Sequence, residues 1–233
     1  MDIHHKHGPI RNWREFLKEY GIIVLGVLTA LAGEQVVEAV HHHYEAQELR
    51  EALDQELTWD FEREKDSTDL QPCVEQRLDE VVRWADALAA GHRPKLDGWF
   101  DGPSHLINRT SVWRSAAGGT LDQIELDKRV AYALFYDHVE VNDGYRQQAD
   151  QLWSDLAEFE PARTLSPEQH LHVLHDAREI RSLYRKLALN YDIARTQFAP
   201  PLGITIEHTP NQVRLGKVMD KARERLCKPV LAE

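Results

Sequence analysis

The first sixty residues pass from an unbroken apolar block to an amphipathic helical period. Gly21 to Gly33, GIIVLGVLTALAG, carries no charge and with Tyr20 forms a 14-residue run, shorter than the roughly 20 residues that usually cross a bilayer. Its flanks extend it. Trp13, Phe16, Leu17 and Tyr20 share one helical face ahead of the run, and Val36, Val37, Ala39 and Val40 continue past Glu34 and Gln35. Tyr20 and Tyr44, 24 residues apart, would stand about 36 Å apart on a helix, the separation at which aromatic side chains meet both membrane interfaces. Three readings compete: a transmembrane anchor over 16–40, a secretory signal cleaved after Ala30-Leu31-Ala32, and the core helix of a soluble fold. The anchor is preferred, because the segment ahead of the run is long and mixed in charge and because the later helices are plainly amphipathic.

Beyond the run, Ala46, Leu49, Leu53, Leu57 and Phe61 recur at three- and four-residue spacing, which predicts a helical stalk over 41–66, running to about Lys65. Pro72 opens a second helix with Val74, Leu78, Val81, Ala85 and Leu88 on one face, stopped by Gly91 and Pro94. Residues 95–109 lack a period and read as a loop whose Trp99 and Phe100 tuck onto the bundle. Thr110 or Ser111 caps a short helix ending at Gly118-Gly119. A third long helix is expected from Asp122, with Val130, Leu134, Val141, Tyr145, Leu152, Leu156 and Phe159 as its core stripe and Gly144 as a weak point. Ser166-Pro167-Glu168-Gln169 is a capping box with a first-turn proline. It starts a fourth helix striped by Leu171, Leu174, Ile180, Leu183, Leu187, Tyr191, Ala194 and Phe198. Pro200-Pro201-Leu202-Gly203 ends it, Ile204-Thr205-Ile206 is extended, and Thr209-Pro210 starts a last helix with Val213, Val218, Met219 and Leu226. The expected fold is all-α: one N-terminal transmembrane helix continuing into a long helix, then a soluble bundle of about four to five helices over 67–233, antiparallel where connections are short.

Charge refines this picture. Residues 1–20 hold four Lys/Arg against three Asp/Glu, and residues 41–233 hold 24 against 34. Lys6, Arg11, Arg14 and Lys18 lie ahead of the apolar run, so the positive-inside rule places the short basic segment 1–15 in the cytoplasm and the acidic bundle in the periplasm of a bacterial inner membrane. A Cys73–Cys227 disulfide is open to such a domain. An acidic surface without a basic stripe excludes nucleic acid as a partner class.

Candidate chemistry is sparse. Glu34 is an ionisable group at the end of the apolar run, and with Glu38, His41 and Glu45 it forms a helical stripe. If the span starts at Phe16, however, Glu34 lies about 27 Å further on, at the far interface. Gly26, Ala30 and Gly33 form a small-residue face that permits close helix packing. His170, His172 and His175 crowd one helix start, and the pairs His172/Asp176 and His175/Glu179 have the i, i+4 spacing of a metal clamp. Neither this cluster, nor His41-His42-His43, nor His4, His5 and His7 matches a spaced metal signature. No nucleophile elbow, phosphate loop or dinucleotide fingerprint occurs. No catalytic residue and no cofactor is therefore assigned.

The stretch Glu19 to Gln35 (EYGIIVLGVLTALAGEQ), the Pro72 to Asp79 segment PCVEQRLD and Trp113-Arg114-Ser115-Ala116 together resemble uncharacterised bacterial proteins with a single N-terminal membrane helix followed by a helical domain. The resemblance implies the anchor and the helical domain, and it brings no activity or catalytic residue. Two functions remain: a membrane-anchored interaction or structural module, with the bilayer and a protein partner or further copies of itself as partners, or a metal- or ion-binding membrane protein using Glu34 or the His172/His175 cluster.

Overall fold

The computed structural model describes residues 12–103, 107–116, 120–204 and 220–231. Among them every regular element is helical: α1 Trp13–Asp69, α2 Gln71–Ala89, α3 Ser111–Ser115, α4 Leu126–Glu158, α5 Pro167–Ile193 and α6 Ala199–Leu202. A further helical stretch covers 220–227. The chain divides into two compact units, Met1–Glu48 and Leu49–Glu233.

In the first unit, the Gly21–Gly33 stretch of α1 is apolar around its circumference. Ile22, Ile23, Leu25, Val27, Leu28 and Leu31 are all 51–66 % exposed. Its most apolar 18-residue window has a mean hydropathy of 1.7, and none of that window is buried. The core-helix reading of this run therefore fails.

In the second unit the end of α1 joins the bundle. Leu53, Leu57 and Phe61 are completely buried, so residues 49–66 are part of the core and not a free-standing stalk. Tyr132 donates to Asp54, Tyr136 to Glu56 and Asn142 to Glu64, partners that rise together in number, so α4 runs parallel to this part of α1. α5 runs antiparallel to α4, as the contacts of His138 and Asn142 with Asn190 and of Tyr145 with Lys186 require. Arg181 meets Glu75 and Asp79 while His170 meets Asp86, which makes α2 antiparallel to α5. It follows that α2 continues in the direction of α1. A short connection was expected to reverse the chain. Leu70, the single residue between the two helices, keeps right-handed helical angles. Pro72 interrupts the hydrogen-bond ladder without supplying a turn.

Two apolar cores result. One gathers Leu53, Leu57 and Phe61 with Tyr132, Phe135, Tyr136 and Val139 and the segment from Ala194 to Leu202. The other gathers α2 with Ala149, Trp153 and Leu156 of α4 and Val173 to Leu187 of α5. α5 begins as its capping box prescribes, Ser166 and Gln169 exchanging side-chain and backbone hydrogen bonds. It ends in a π-turn over Ala194–Phe198, after which the two prolines sit in the first turn of α6 and Gly203 closes that helix at φ 69°.

Further expectations need correction. In α4 the core stripe is Ala131, Tyr132, Phe135, Tyr136, Val139, Asn142, Arg146, Ala149, Trp153 and Leu156; Val130, Leu134 and Val141 are exposed. α4 starts at Leu126 and passes Gly144 unbroken. Phe100 is buried but Trp99 is 68 % exposed, because the Phe100 backbone is held by Glu160 and the chain at Gly102 lies so close to the Trp153 ring that a Cβ there would sit 2.5 Å from it. The expected ends at Gly118-Gly119, Thr209-Pro210, Val213, Val218 and Met219, together with His4, His5 and His7, fall outside the described residues.

Cys73 and Cys227 form a disulfide across 154 residues. It pins the C-terminal segment where Arg77 already receives it. That guanidinium donates to the carbonyls of Leu226 and Lys228 at 2.9 and 2.8 Å and of Trp99 at 2.6 Å, closing the exposed end of the 220–227 helix. Glu80 accepts from the Val230 amide, and Leu226 and Val230 are buried. Closing so long a loop restricts the unfolded chain, which in the chain-entropy account is worth up to about 5 kcal/mol. Reduction, or the paired Cys73→Ala/Cys227→Ala change, is expected to lower the melting temperature of the full chain in detergent; an unchanged melting curve refutes this.

Candidate functional site

The positions nominated by the sequence are dispersed. Glu34 lies on the exposed surface of α1, and a Cβ at Gly26 or Gly33 would meet nothing within 4 Å, so the small-residue face including Ala30 is open. His41 pairs with Glu45 at 3.0 Å, and His42 lies 3.3 Å from Glu45 and 3.6 Å from Glu38. In α5, His172 and His175 both turn to Asp176, at 3.1 and 3.2 Å, one on each carboxylate oxygen. Asp176 is 2 % exposed. The spacing-based partner of His175, Glu179, is not the one it takes. The two imidazoles are the polar neighbours of a buried carboxylate, which gives the cluster a structural role. Among the described residues no group of three or more His, Cys, Asp or Glu is arranged to hold a metal ion.

The structure's most concentrated chemistry lies elsewhere, in a buried polar layer between the two apolar cores. Arg146 meets Glu64 at 2.6 Å with both side chains nearly fully buried. Asn142 donates to the other Glu64 oxygen at 3.1 Å, and Asn190 donates to Asn142 at 2.6 Å. Asp143 accepts from Arg146 at 3.1 Å and from Asn108 at 2.8 Å, and Asn108 in turn accepts from Arg63 at 2.5 Å. The chain of contacts thus ties α1, α4, α5 and the 107–110 segment together.

No known protein family, curated protein or solved structure matches the chain. The polar layer must therefore be read from its own geometry.

The same stretch of α1 straps the segment 107–115 onto the bundle. Glu56, 4 % exposed, accepts from the Val112 amide at 3.0 Å, the Trp113 amide at 3.3 Å and the Ser111 hydroxyl at 3.2 Å. It therefore caps α3 from another helix, and neither Thr110 nor any other side chain caps it locally. Asp60 accepts from the Arg109 amide at 2.9 Å, and the Arg109 guanidinium lies 3.8 Å above the Trp59 ring. Trp113 stacks on Tyr136 with ring centroids 4.9 Å apart.

Asp60 is sealed from solvent and its second oxygen has no hydrogen-bond partner. Burial pushes its carboxyl up to about 8, against the opposing pull of the Arg109 amide and the Arg63 guanidinium. Burial likewise lowers Arg63 to about 10. Tyr132 and Tyr136 are both pushed well above their usual range, first by burial and then by donating to Asp54 and Glu56. This arrangement holds protons and charges in place through contacts of these residues with one another. The hollow formed by Arg178, Arg181, Ser182, Arg185, Lys186 and Leu189, about 300 Å³, is on the outer face of α5.

The sequence did carry a sign of the polar layer. Asp60 and Glu64 continue the Leu53–Leu57 face at i+7 and i+11, and Asn142 and Arg146 continue the Phe135–Val139 face with helical period. Polar letters on an apolar stripe mark a buried network.

Two outcomes are expected. Arg146→Met leaves Glu64 buried without its cation and should destabilise the bundle by about 3–5 kcal/mol. Adding Glu64→Leu should recover most of that loss, and a double variant no better than the single one argues against the pair. From about pH 4 to about pH 8 the folded chain keeps the Asp60 proton that the unfolded chain has released, so the contribution of Asp60 to wild-type stability declines through that window. Asp60→Asn preserves the acceptor for Arg109 and removes the ionisation. Its melting temperature should pull ahead of wild type as pH rises from 4 to 8 and keep a constant lead above that, whereas a pH-independent difference counts against a raised Asp60.

Proposed function

We propose that this chain is a membrane-tethered helical interaction module: α1 fixes it in a bacterial inner membrane with the basic N-terminal segment in the cytoplasm, and the bundle presents a protein-binding surface in the periplasm. The observation that carries the reading is the apolar window of α1, with a mean hydropathy of 1.7 and no buried share. An apolar surface exposed on every side of a helix is stable in lipid and unstable in water. The Cys73–Cys227 disulfide fits an oxidising compartment, and the basic residues ahead of the run fit an inward N-terminus. The interaction half of the reading rests on the contrast between a rigid, doubly cored bundle and the apolar residues it leaves on its surface.

Membrane fractionation tests the tether. The full chain should stay in the pellet after carbonate washing, and Leu25→Arg/Leu28→Arg should release it. A cysteine placed at Arg178 should be labelled in intact spheroplasts by a membrane-impermeant maleimide, and a cysteine at Lys6 only after lysis. Wild-type protein in the soluble fraction rejects the tether, and the reverse labelling pattern rejects the orientation.

A further inference from the structure

The bundle is acidic, with 24 Lys/Arg against 34 Asp/Glu over 41–233, yet four of those cations, Arg178, Arg181, Arg185 and Lys186, fall within nine residues of α5. With Ser182 and Leu189 they line the hollow of about 300 Å³ on its outer face. At about 100° per residue Leu171, Arg178, Ser182, Arg185 and Leu189 lie within an arc of roughly 60°, opposite the buried side that carries Ile180, Leu183 and Leu187. Leu171 and Leu189, 66 % and 60 % exposed, stand at the two ends of this stripe, about 27 Å apart. The outer face of α5 therefore has apolar ends and a cationic middle.

α2 shows what this middle accepts. Its Glu75 and Asp79, one turn apart, both meet Arg181, Asp79 at 2.6 Å, and Arg185 lies 3.6 Å from Glu75. A helix presenting carboxylates at i and i+4 is thus already seated against one edge of the cluster. Those two acids leave the four cations with two charges in excess. Arg178 is exposed and in no ion pair among the described residues, the Arg185 side chain is 66 % exposed, and Lys186 rests over the Tyr145 ring at 5.3 Å. We propose that the outer face of α5 docks an acidic helix of a partner protein, whose carboxylates, spaced three and four residues apart, meet Arg178 and Arg185 as Glu75 and Asp79 meet Arg181, and whose apolar residues cover Leu171 and Leu189. This deepens the interaction-module reading and rests on it, naming the chemistry of the partner. A second copy laid through the same face would set this positive excess against an identical one, so charge disfavours it. A small inorganic anion would fill the hollow but leave Leu171, seven residues before Arg178, bare. Exposed ion pairs are individually weak and screened by salt, so the contact is transient, and its selectivity comes from the spacing of the charges.

Fluorescence anisotropy on the full chain in nanodiscs of neutral lipid tests the face. The probe is a synthetic helical peptide of Ala and Gln with glutamates spaced alternately four and three residues apart, carrying an uncharged dye. A control peptide of the same composition has its glutamates consecutive. The expected result is saturable binding of the probe, at least tenfold tighter than the control and weakened at least tenfold by Arg178→Gln/Arg185→Gln. Both of those side chains are exposed, so the variant should melt as wild type does. Asp79→Asn frees Arg181 from one of its two acids and should tighten binding; unchanged or weaker binding counts against the cluster acting as one site. A leucine added near each end of the probe should strengthen binding to wild type and not to Leu171→Ser/Leu189→Ser. Equal binding of probe and control reduces the face to general anion attraction and overturns the proposal. Displacement of the probe by inorganic pyrophosphate at the probe's own concentration assigns the hollow to a small phosphate ligand and overturns it too, as does the absence of binding. A chain that pellets with membranes but binds no probe leaves the tether standing and removes this proposal, and a soluble chain that binds the probe does the opposite.

Discussion

The bundle depends on one buried ion pair, Glu64 with Arg146, and on where that pair falls. The two side chains are 2 % and 4 % exposed and lie between two apolar cores that do not merge. A buried pair of this kind gains little over a well-packed apolar substitute, yet separating its members is heavily penalised. Its effect is therefore on register. A shift of α4 by one turn along α1 would leave Glu64 and Arg146 both buried and unmatched, while the leucines and aromatics above and below could still find apolar neighbours. Asn142 and Asn190 extend the same constraint to α5. Three long helices with simple apolar faces thereby acquire one alignment.

The consequences reach the irregular segment. The loop after α2 has no period of its own, and α3 is five residues long with no local cap. It is ordered by carboxylates from elsewhere: Glu56 receives the α3 amides, Asp60 the Arg109 amide, and Arg63 holds Asn108. The proton on Asp60 belongs to this arrangement. Burial disfavours the Asp60 carboxylate, Glu56 and Glu64 nearby on the same helix add to that, and a neutral acid facing a backbone amide is the more stable form. At the other end of the bundle Arg77 and Glu80 play the corresponding part, receiving the C-terminal segment that the disulfide then ties to α2.

These dependencies explain what could be read from the sequence and what could not. The start of α5 was legible because Ser166, Pro167 and Gln169 act through contacts three residues apart. The helical class and the long first helix follow from periodicity over many turns. The facing of α4 was not legible. Its core stripe contains Asn142 and Arg146, which break the apolar pattern, whereas Val130, Leu134 and Val141 offer a cleaner stripe on the wrong side. An apolar residue satisfies the period whether it meets the core or lies on the surface. The direction of α2 failed for a related reason: a short connection implies reversal only if it turns the chain, and Leu70 does not. Two cysteines allow one intrachain pairing, so Cys73–Cys227 could be named from the sequence, but whether it forms depended on contacts 154 residues apart, which local patterns do not reach.

Both units leave apolar surface uncovered, but in different forms. Around Ile22 to Leu31 the exposure is circumferential and of similar degree on each side chain. Such a surface has no preferred direction and is matched by a medium, the lipid hydrocarbon, without shape or charge recognition. On α4 the exposure is confined to one side of a helix whose opposite side is core, with Arg129 and Glu140 on one edge and Asp137 within it. The polar layer fixes where that stripe lies, because a register set by Glu64 and Arg146 holds α4 in one rotation and keeps Val130, Leu134 and Val141 facing outward.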